Sequence, residues 1–311
     1  MTNPFPYSDS NKRYHTYDYH LRSLHGTKCC KIPLDGGFTC PNIDGTKSKG
    51  GCVYCSARGS GDFTAGRDKS IPEQFAVMRE IMHRKWPSAR FVAYFQAFTN
   101  TYAPVHVLRT KFEEAIAQPD VVALNIATRP DALPDDVVAY LRELSERIDL
   151  TVELGLQSSS DETAALINRG HTFADFVEGF EKLRGIKTCV HIINGLPGED
   201  KAAMLKTARD LASLHPHSVK IHLLHVLKNT TLADWYREHR FDCLTLEDYV
   251  DITISQLELL PADIVIGRLT GDGAEADLIA PLWSKKKVIV LNEIDKAMAA
   301  RNTWQGRLAE N

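Results

Sequence analysis

The sequence predicts an α/β protein: a partial (βα)6 TIM-like barrel of parallel strands with short N- and C-terminal extensions. Three observations lead there. Short runs rich in Val, Ile and Leu, bounded by polar, Gly or Pro signals, alternate with longer segments of helical spacing. From the second run onward the strands recur roughly every 30 residues, the size of one βα unit. Tight hairpin signals between successive strands are lacking, so the strands are expected parallel, with right-handed crossovers and helices outside.

In chain order, strands are expected at residues 28–34, 91–96, 121–127, 150–156, 188–193 and 219–224. Helices are expected between them at 104–118, 134–147, 172–184 and 200–214. In the first of these Leu108, Phe112, Ala115 and Ile116 fall at helical spacing, and Pro104 and Pro134 suit a first helical turn. A doubly wound open sheet is the rival, but its G-x-G-x-x-G phosphate fingerprint does not follow the first strand. The first two strands lie roughly 60 residues apart, and long loops at strand C-termini are where barrel enzymes keep their sites. That insertion holds a cysteine cluster and a Gly-rich stretch at 59–66. The last part of the chain adds a basic triplet at 285–287 and an apolar run at 288–294. The expected organisation is one domain over 1–311: a barrel core at about 28–270, with extensions at 1–27 and 271–311.

Composition narrows the function. With 311 residues, 43% hydrophobic and 25% charged, the chain is neither disordered nor fibrous. Lys plus Arg is 37 against 40 for Asp plus Glu, a formal charge of −3. That excludes binding nucleic acid by bulk charge and leaves only a local basic patch. Seven cysteines cannot pair without a remainder, and the start MTNPFPYSDSNKRYH lacks the apolar core of a signal peptide. A reducing cytoplasmic location is expected. Without an apolar run near 18 residues, no membrane helix is expected.

Cys40, Cys52 and Cys55 stand as C-x11-C-x2-C within CPNIDGTKSKGGCVYC. A two-residue gap lets two thiolates converge on one centre, and Gly45, Gly50 and Gly51 free the segment that brings in the third. Structural zinc takes four ligands, and ordinary iron–sulfur clusters take four cysteines, so three thiols leave one position open for chemistry. The alternatives are a zinc site completed by His20 or His25, and three unrelated buried thiols. Cys29 and Cys30 adjoin on a strand and point to opposite faces. With Cys189 and Cys243 they read as small apolar fillers.

These residues resemble the cluster loop of the radical S-adenosylmethionine (SAM) superfamily, in a form with eleven residues between the first two cysteines. The match runs from Cys40-Pro41-Asn42 through Asp44-Gly45 to Gly50-Gly51-Cys52-Val53-Tyr54-Cys55, with aromatic Tyr54 just before the last cysteine. The resemblance implies a 4Fe-4S cluster on Cys40, Cys52 and Cys55. It also implies SAM chelated to the remaining iron and cleaved reductively to methionine and a 5′-deoxyadenosyl radical. In that family the second strand ends in a motif holding the methionine amino group. Here Phe95-Gln96-Ala97-Phe98-Thr99-Asn100 replaces the commoner Gly-Gly-Glu, which leaves Gln96, Thr99 and Asn100 as candidate contacts.

Thr128-Arg129-Pro130-Asp131 and Val152-Glu153-Leu154-Gly155-Leu156-Gln157-Ser158 resemble the radical domains of the elongator catalytic subunit and of oxygen-independent coproporphyrinogen oxidase. The resemblance assigns Gln157 to the SAM ribose and Arg169 to its carboxylate, a pairing a guanidinium makes bidentately. Glu153 is a further candidate, with a paired structural carboxylate as its alternative. Ile193-Asn194-Gly195-Leu196-Pro197-Gly198 places Asn194 near the adenosine, unless it only caps the next helix. In Lys220-Ile221-His222-Leu223-Leu224-His225 the alternation puts His222 and His225 on opposite faces, so one histidine is expected in the lumen.

The whole chain, including Arg13-Tyr14-His15 and Thr270-Gly271-Asp272-Gly273, resembles a bacterial subfamily related to the elongator type. That resemblance implies tRNA as substrate, with a wobble 5-carboxymethylaminomethyl(-2-thio)uridine losing its carboxymethyl portion to give 5-aminomethyl(-2-thio)uridine. It also implies an electron donor such as flavodoxin or ferredoxin. Lys12, Arg13, Lys47, Lys49, Arg58, Arg67 and Lys285 to Lys287 are candidate phosphate contacts, and Tyr17, Phe63 and Phe98 candidate stacking residues. The competing readings are radical chemistry on a small or porphyrin-type molecule, and a zinc-stabilised RNA-binding protein without catalysis.

Overall fold

The computed structural model describes residues 3–59, 64–271 and 275–309. Phe63, Asp272 and Gly273 lie outside the described residues. Six strands fall where the sequence places them: β1 (Cys29–Leu34), β2 (Arg90–Phe95), β3 (Val121–Thr128), β4 (Asp149–Gln157), β5 (Lys187–Asn194) and β6 (Ser218–Leu223). A short β7 (Val226–Leu227) pairs antiparallel with β9 (Leu278–Ala280), and between them comes β8 (Val265–Arg268). The main sheet runs β1-β2-β3-β4-β5-β6-β8 with every pairing parallel, so the partial barrel carries a seventh strand beyond the six expected.

The helices are α1 (Tyr17–His25), α2 (Ile71–Lys85), α3 (Val105–Ile116), α4 (Asp135–Ser145), α5 (Asp161–Leu166), α6 (Phe173–Lys182), α7 (Lys201–Leu214), α8 (Thr231–Arg237), α9 (Leu246–Leu259) and α10 (Lys287–Ala300). Their starts follow local chemistry. Ser70 and Glu73 form a reciprocal capping box at α2, Thr172 and Asp175 another at α6, and Asp200 and Thr245 cap α7 and α9. Pro104 and Pro134 occupy the cap itself, one position before the first turn. None of the described helices is long and apolar enough to cross a membrane.

Strand alternation sorts the side chains. Leu124, Ile126, Val152, Leu154, Val190, Ile192, Val219 and Ile221 face out and pack with Leu108, Phe112, Leu141, Phe176, Leu211 and Tyr249 of the helices. Each such fully buried aliphatic contributes about 2 kcal/mol. Val290, Ile294 and Met298 of α10 join this core, so the apolar run at 288–294 is one face of a packed helix. A second cluster of Leu21, Cys29, Val92 and Ala123, with Tyr17, sets α1 against the inner side of β1 to β3 and plugs the N-terminal end of the barrel. Cys29 lies in this plug and Cys30 in the main core, on opposite faces as expected. A third cluster, with Val53, Ile167, Leu196, Leu224, Val226, Leu232, Ala233 and Ala280, lies over the C-terminal end.

Candidate functional site

At the C-terminal ends of the strands the loops enclose a cavity of about 310 Å³. Cys40, Cys52, Tyr54 and Cys55 of the long β1–α2 loop form part of its wall. Gln96 and Thr99 after β2, Glu153 and Gln157 of β4, Arg169 and His222 form more of it. Two other sequence candidates stand beside the wall. Asn100 donates its amide to Phe95 O (3.2 Å) and Ala127 O (2.8 Å), tying the end of β2 to β3. Asn194 exchanges amide hydrogen bonds with Gln256 of α9 at 2.8 and 2.9 Å, a reciprocal pair that replaces the alternative of a helix cap.

The cysteine loop is built on a frame of asparagines. Gly50 and Gly51, with φ of +82° and +75°, turn the chain back immediately before Cys52. The Asn42 amide donates to Asn168 O at 2.6 Å and lies 3.6 Å from Cys52 Sγ. Asn168 reaches back, donating to Gly51 O (2.7 Å) and Lys49 O (3.1 Å) and accepting from Ser48 Oγ (2.9 Å). Val53 N bonds to Ile167 O (3.1 Å), and Leu232 N bonds to Val53 O (2.9 Å). The three thiols are uncombined. Burial raises the Cys52 thiol, and burial with Cys52 and Cys55 alongside holds the Tyr54 phenol well above its ordinary value.

Among the described residues, the group of three candidate ligand atoms packed within 4.8 Å of one another is Glu153, Cys189 and His191, and not the loop thiols. Sulfurs around a single tetrahedral zinc stand only about 3.8 Å apart. Among the described residues the loop thiols are not grouped closely enough to share one tetrahedral ion, a spacing that suits a larger cluster better. Glu153, Cys189 and His191 are a poor ion site for a different reason, because two lysines already face that carboxylate.

Two arginines stiffen the wall. Arg129 pairs with Asp131 through Nε and Nη2, both at 2.9 Å, and donates Nη1 to Arg169 O at 2.7 Å. Arg169 is 1% exposed; it donates to Leu156 O, to Ser158 O (2.5 Å) and to His171 O (2.9 and 3.1 Å). Its fork therefore binds the end of β4 to the turn after α5. Gln157, at φ +62°, turns the chain off β4.

The cavity floor is a buried ion network, on the face that strand alternation leaves polar. Glu153 Oε1 accepts from Asn125 Nδ2 (2.7 Å) and from Lys31 (3.2 Å), while Oε2 meets His191 Nε2 (2.8 Å) and Lys220. Lys220 also donates to the Tyr94 hydroxyl at 3.2 Å. Burial would raise the Glu153 carboxyl, but Lys220, Lys31 and His191 hold it well below its ordinary value. Burial pulls Lys220 down to about 8 and His191 to about 4. His222 faces the lumen from β6, with its Nε2 buried and unpartnered, and His225 lines the cavity from the turn beyond the strand.

Several outer candidates are corrected. Arg13 is buried and bonds to Asn302 and Thr303 O, so it is no phosphate contact. Tyr17 packs in the opposite, plugged end of the barrel and cannot stack on a ligand at the mouth. Lys12 is paired with Asp295, and Arg67 donates to Gly37 O and Phe38 O, both at 2.5 Å. Phe98 does line the mouth. Asn168, Lys220, His191 and Arg268 were not singled out beforehand. A residue held at positive φ, as Asn168 is at +53°, favours Asn or Gly, and its Asn-Arg-Gly context carried that signal.

Residues 45–211 match the family model described as Radical SAM superfamily, and residues 216–300 match the Radical SAM C-terminal domain. The uncharacterized protein YtqA of Bacillus subtilis (strain 168) is 52% identical over 309 residues, covering 99% of this chain and 96% of that protein. The tRNA uridine(34) acetyltransferase of Methanocaldococcus jannaschii is 27% identical over 156 residues, 49% of this chain and 28% of that protein. Among solved structures, the archaeal Methanocaldococcus infernus Elp3 with an N-terminal deletion is similar in fold. Its TM-score is 0.68 at 17% identity, over 89% of this chain and 64% of that chain.

Proposed function

Since the chain belongs to the radical SAM superfamily, we propose that it holds a 4Fe-4S cluster through Cys40, Cys52 and Cys55, binds SAM beside it, and acts on a tRNA wobble uridine. The observation that carries this reading is that one loop sets three thiols in the wall of one cavity at the strand C-termini. When bound, the cluster and SAM supply a 5′-deoxyadenosyl radical by reductive cleavage of the sulfonium.

The chain's own residues bind and orient. Asn42 and Asn168 fix the loop, and Tyr54 stands beside Cys52 and Cys55. Gln96 and Thr99 offer polar atoms to the amino acid portion of SAM, with Asn100 holding their backbone in place. Gln157 faces the ribose; Arg169, whose Nε and both Nη already donate to backbone carbonyls, does not make the bidentate pairing expected of it and offers the SAM carboxylate only its positive charge, while Asn194 sets the turn near the adenosine. Glu153 and His222 stand deeper, on the substrate side.

The tRNA substrate is supported by relatives named for chemistry at tRNA uridine 34. It is also supported by the Lys49 and Arg58 side of the cysteine loop with Phe98 at the mouth. The reaction converts 5-carboxymethylaminomethyl(-2-thio)uridine to 5-aminomethyl(-2-thio)uridine. The C–H bonds beside that amine resist acid and base; hydrogen-atom abstraction at the carboxymethyl carbon, loss of one further electron to the one-electron carrier that serves the reductive cleavage, and hydrolysis of the resulting imine would free the 5-aminomethyl group and release the two carbons as glyoxylate. The setting is cytoplasmic, with a flavodoxin or ferredoxin as electron donor.

The test is anaerobic reconstitution, expected to give about four irons per chain, followed by incubation with SAM, reductant and bulk tRNA. Nucleoside mass spectrometry should show loss of the carboxymethyl group. One zinc and no SAM cleavage would overturn the enzyme reading. 5′-Deoxyadenosine made with tRNA unchanged would overturn the substrate and move it to a small molecule.

A further inference from the structure

We propose that Asn42 tunes the redox potential of the cluster by donating its side-chain amide to the sulfur of Cys52; this rests on the reading of Cys40, Cys52 and Cys55 as cluster ligands and gives a role to a residue behind them. Asn42 is fully buried, and its amide nitrogen carries two N–H groups. One goes to Asn168 O at 2.6 Å and the other to Cys52 Sγ at 3.6 Å. The first bond ties the loop. A tie alone does not call for the second donor.

Two features of the surroundings show that the amide is held there at a cost. Asn42 Oδ1 is buried without a hydrogen-bond partner, an unfavourable state for an amide oxygen. Gly170, at φ +77°, leaves the room for that oxygen, since a Cβ at this position would sit 2.4 Å from it. The chain thus forgoes a side chain at 170 and leaves an acceptor unmatched while one N–H rests on a ligand sulfur. The Tyr54 hydroxyl is a second donor to the same sulfur. Arg129 also lies near Cys40 and Cys52, but Asp131 matches its charge at 2.9 Å, so hydrogen bonding and not net charge is the lever at Cys52. As a ligand, the Cys52 sulfur is a thiolate, and it gains electron density when the cluster takes one electron from the one-electron carrier. A donor on that sulfur favours the reduced form over the oxidised form, which raises the potential and makes the transfer less uphill.

The experiment uses the full chain, reconstituted anaerobically without SAM or RNA, and follows the cluster by electron paramagnetic resonance through a mediated redox titration. Asn42→Leu, similar in volume but without a donor, should be harder to reduce by about tenfold in the one-electron equilibrium, which is about 59 mV. Asn168→Gly separates tuning from tethering. It should hold less iron, but the clusters that form should keep the wild-type potential, because Asn168 O still receives the Asn42 amide. A wild-type potential in iron-loaded Asn42→Leu would overturn the proposal. So would an equal shift in Asn168→Gly, because the potential would then follow the order of the loop. A second measurement needs no variant. Reduced wild type grown with asparagine carrying the heavy nitrogen isotope should show a weak nitrogen coupling to the cluster spin in pulsed resonance, and its absence would overturn the proposal even where Asn42→Leu takes up no iron. A wild type that takes up no iron would instead overturn the ligand assignment on which the proposal rests.

Discussion

Asn42 and Asn168, far apart in sequence, clasp the cysteine loop from both sides: Asn42 donates to Asn168 O at 2.6 Å, and Asn168 donates to Gly51 O at 2.7 Å. Asn168→Ala removes the second half of the clasp and strains a backbone at φ +53°. The expected cost is about 1–3 kcal/mol of stability, with iron retention falling more than global melting, because the freed loop is the ligand carrier. Asn168→Gly relieves the backbone but not the hydrogen bonds, so iron content should stay low in both. Full iron content in Asn168→Gly would show that the clasp does not hold the loop.

Cys52→Ser tests the ligand assignment. Cys52 lies outside the main core, so thermal melting of the cluster-free variant should match that of cluster-free wild type. Iron per chain and 5′-deoxyadenosine production should both drop to background. SAM cleavage at the wild-type rate would sink the assignment.

Gly179→Ala tests how α6 supports the site. A Cβ there would sit 2.2 Å from Pro130 O, a backbone atom inside the Arg129-Pro130-Asp131 segment that cannot move alone. The expected loss is about 2–3 kcal/mol, from overpacking. Chemical denaturation should read it as a lower midpoint with unchanged slope.

The floor network makes stability depend on pH at both ends. The folded pKa of Glu153 is depressed, so its contribution is complete above the unfolded value of about 4.3 and is lost as pH falls below it. Lys220 is also depressed, to about 8, so the folded state sheds that proton before the unfolded chain does. Stability from this group therefore rises with pH between about 8 and 10.4. Lys220→Met should flatten that alkaline rise in denaturation midpoints measured across the window. A rise unchanged in the variant would assign it to another group.

RNA affinity should weaken with salt through counterion release. A rim offering three to five cations gives a slope of about −2 to −4 in log K against log salt for a single-stranded loop. An affinity indifferent to ionic strength would count against an RNA substrate at this face.

Legibility followed chain locality. Six strands were readable within about a residue of their ends, since each is a short apolar run with clear punctuation. The seventh, Val265–Arg268, is only 4 residues long and follows the long helix α9, so it carried little periodic signal. In the site, the spacing of Cys40, Cys52 and Cys55 was legible because one loop holds all three. The floor was not: Lys31, Asn125, Glu153, His191 and Lys220 come from five strands, and only the register brings them together. Glu153 was visible as an acid on a buried strand. Its partners became visible once the sheet curled.

The two backbone bonds that grip Val53 set an order of assembly. Ile167 lies between β4 and β5 and Leu232 lies in α8, both more than a hundred residues downstream of the loop they fasten. During synthesis the three thiols leave the ribosome long before either clamp exists. The loop proposed to hold the cluster is therefore fastened only when most of the polypeptide has emerged. On the proposed ligand assignment, nascent chains arrested before residue 230 should emerge without metal, and iron found on them would show that the two clamps are not needed to load the loop.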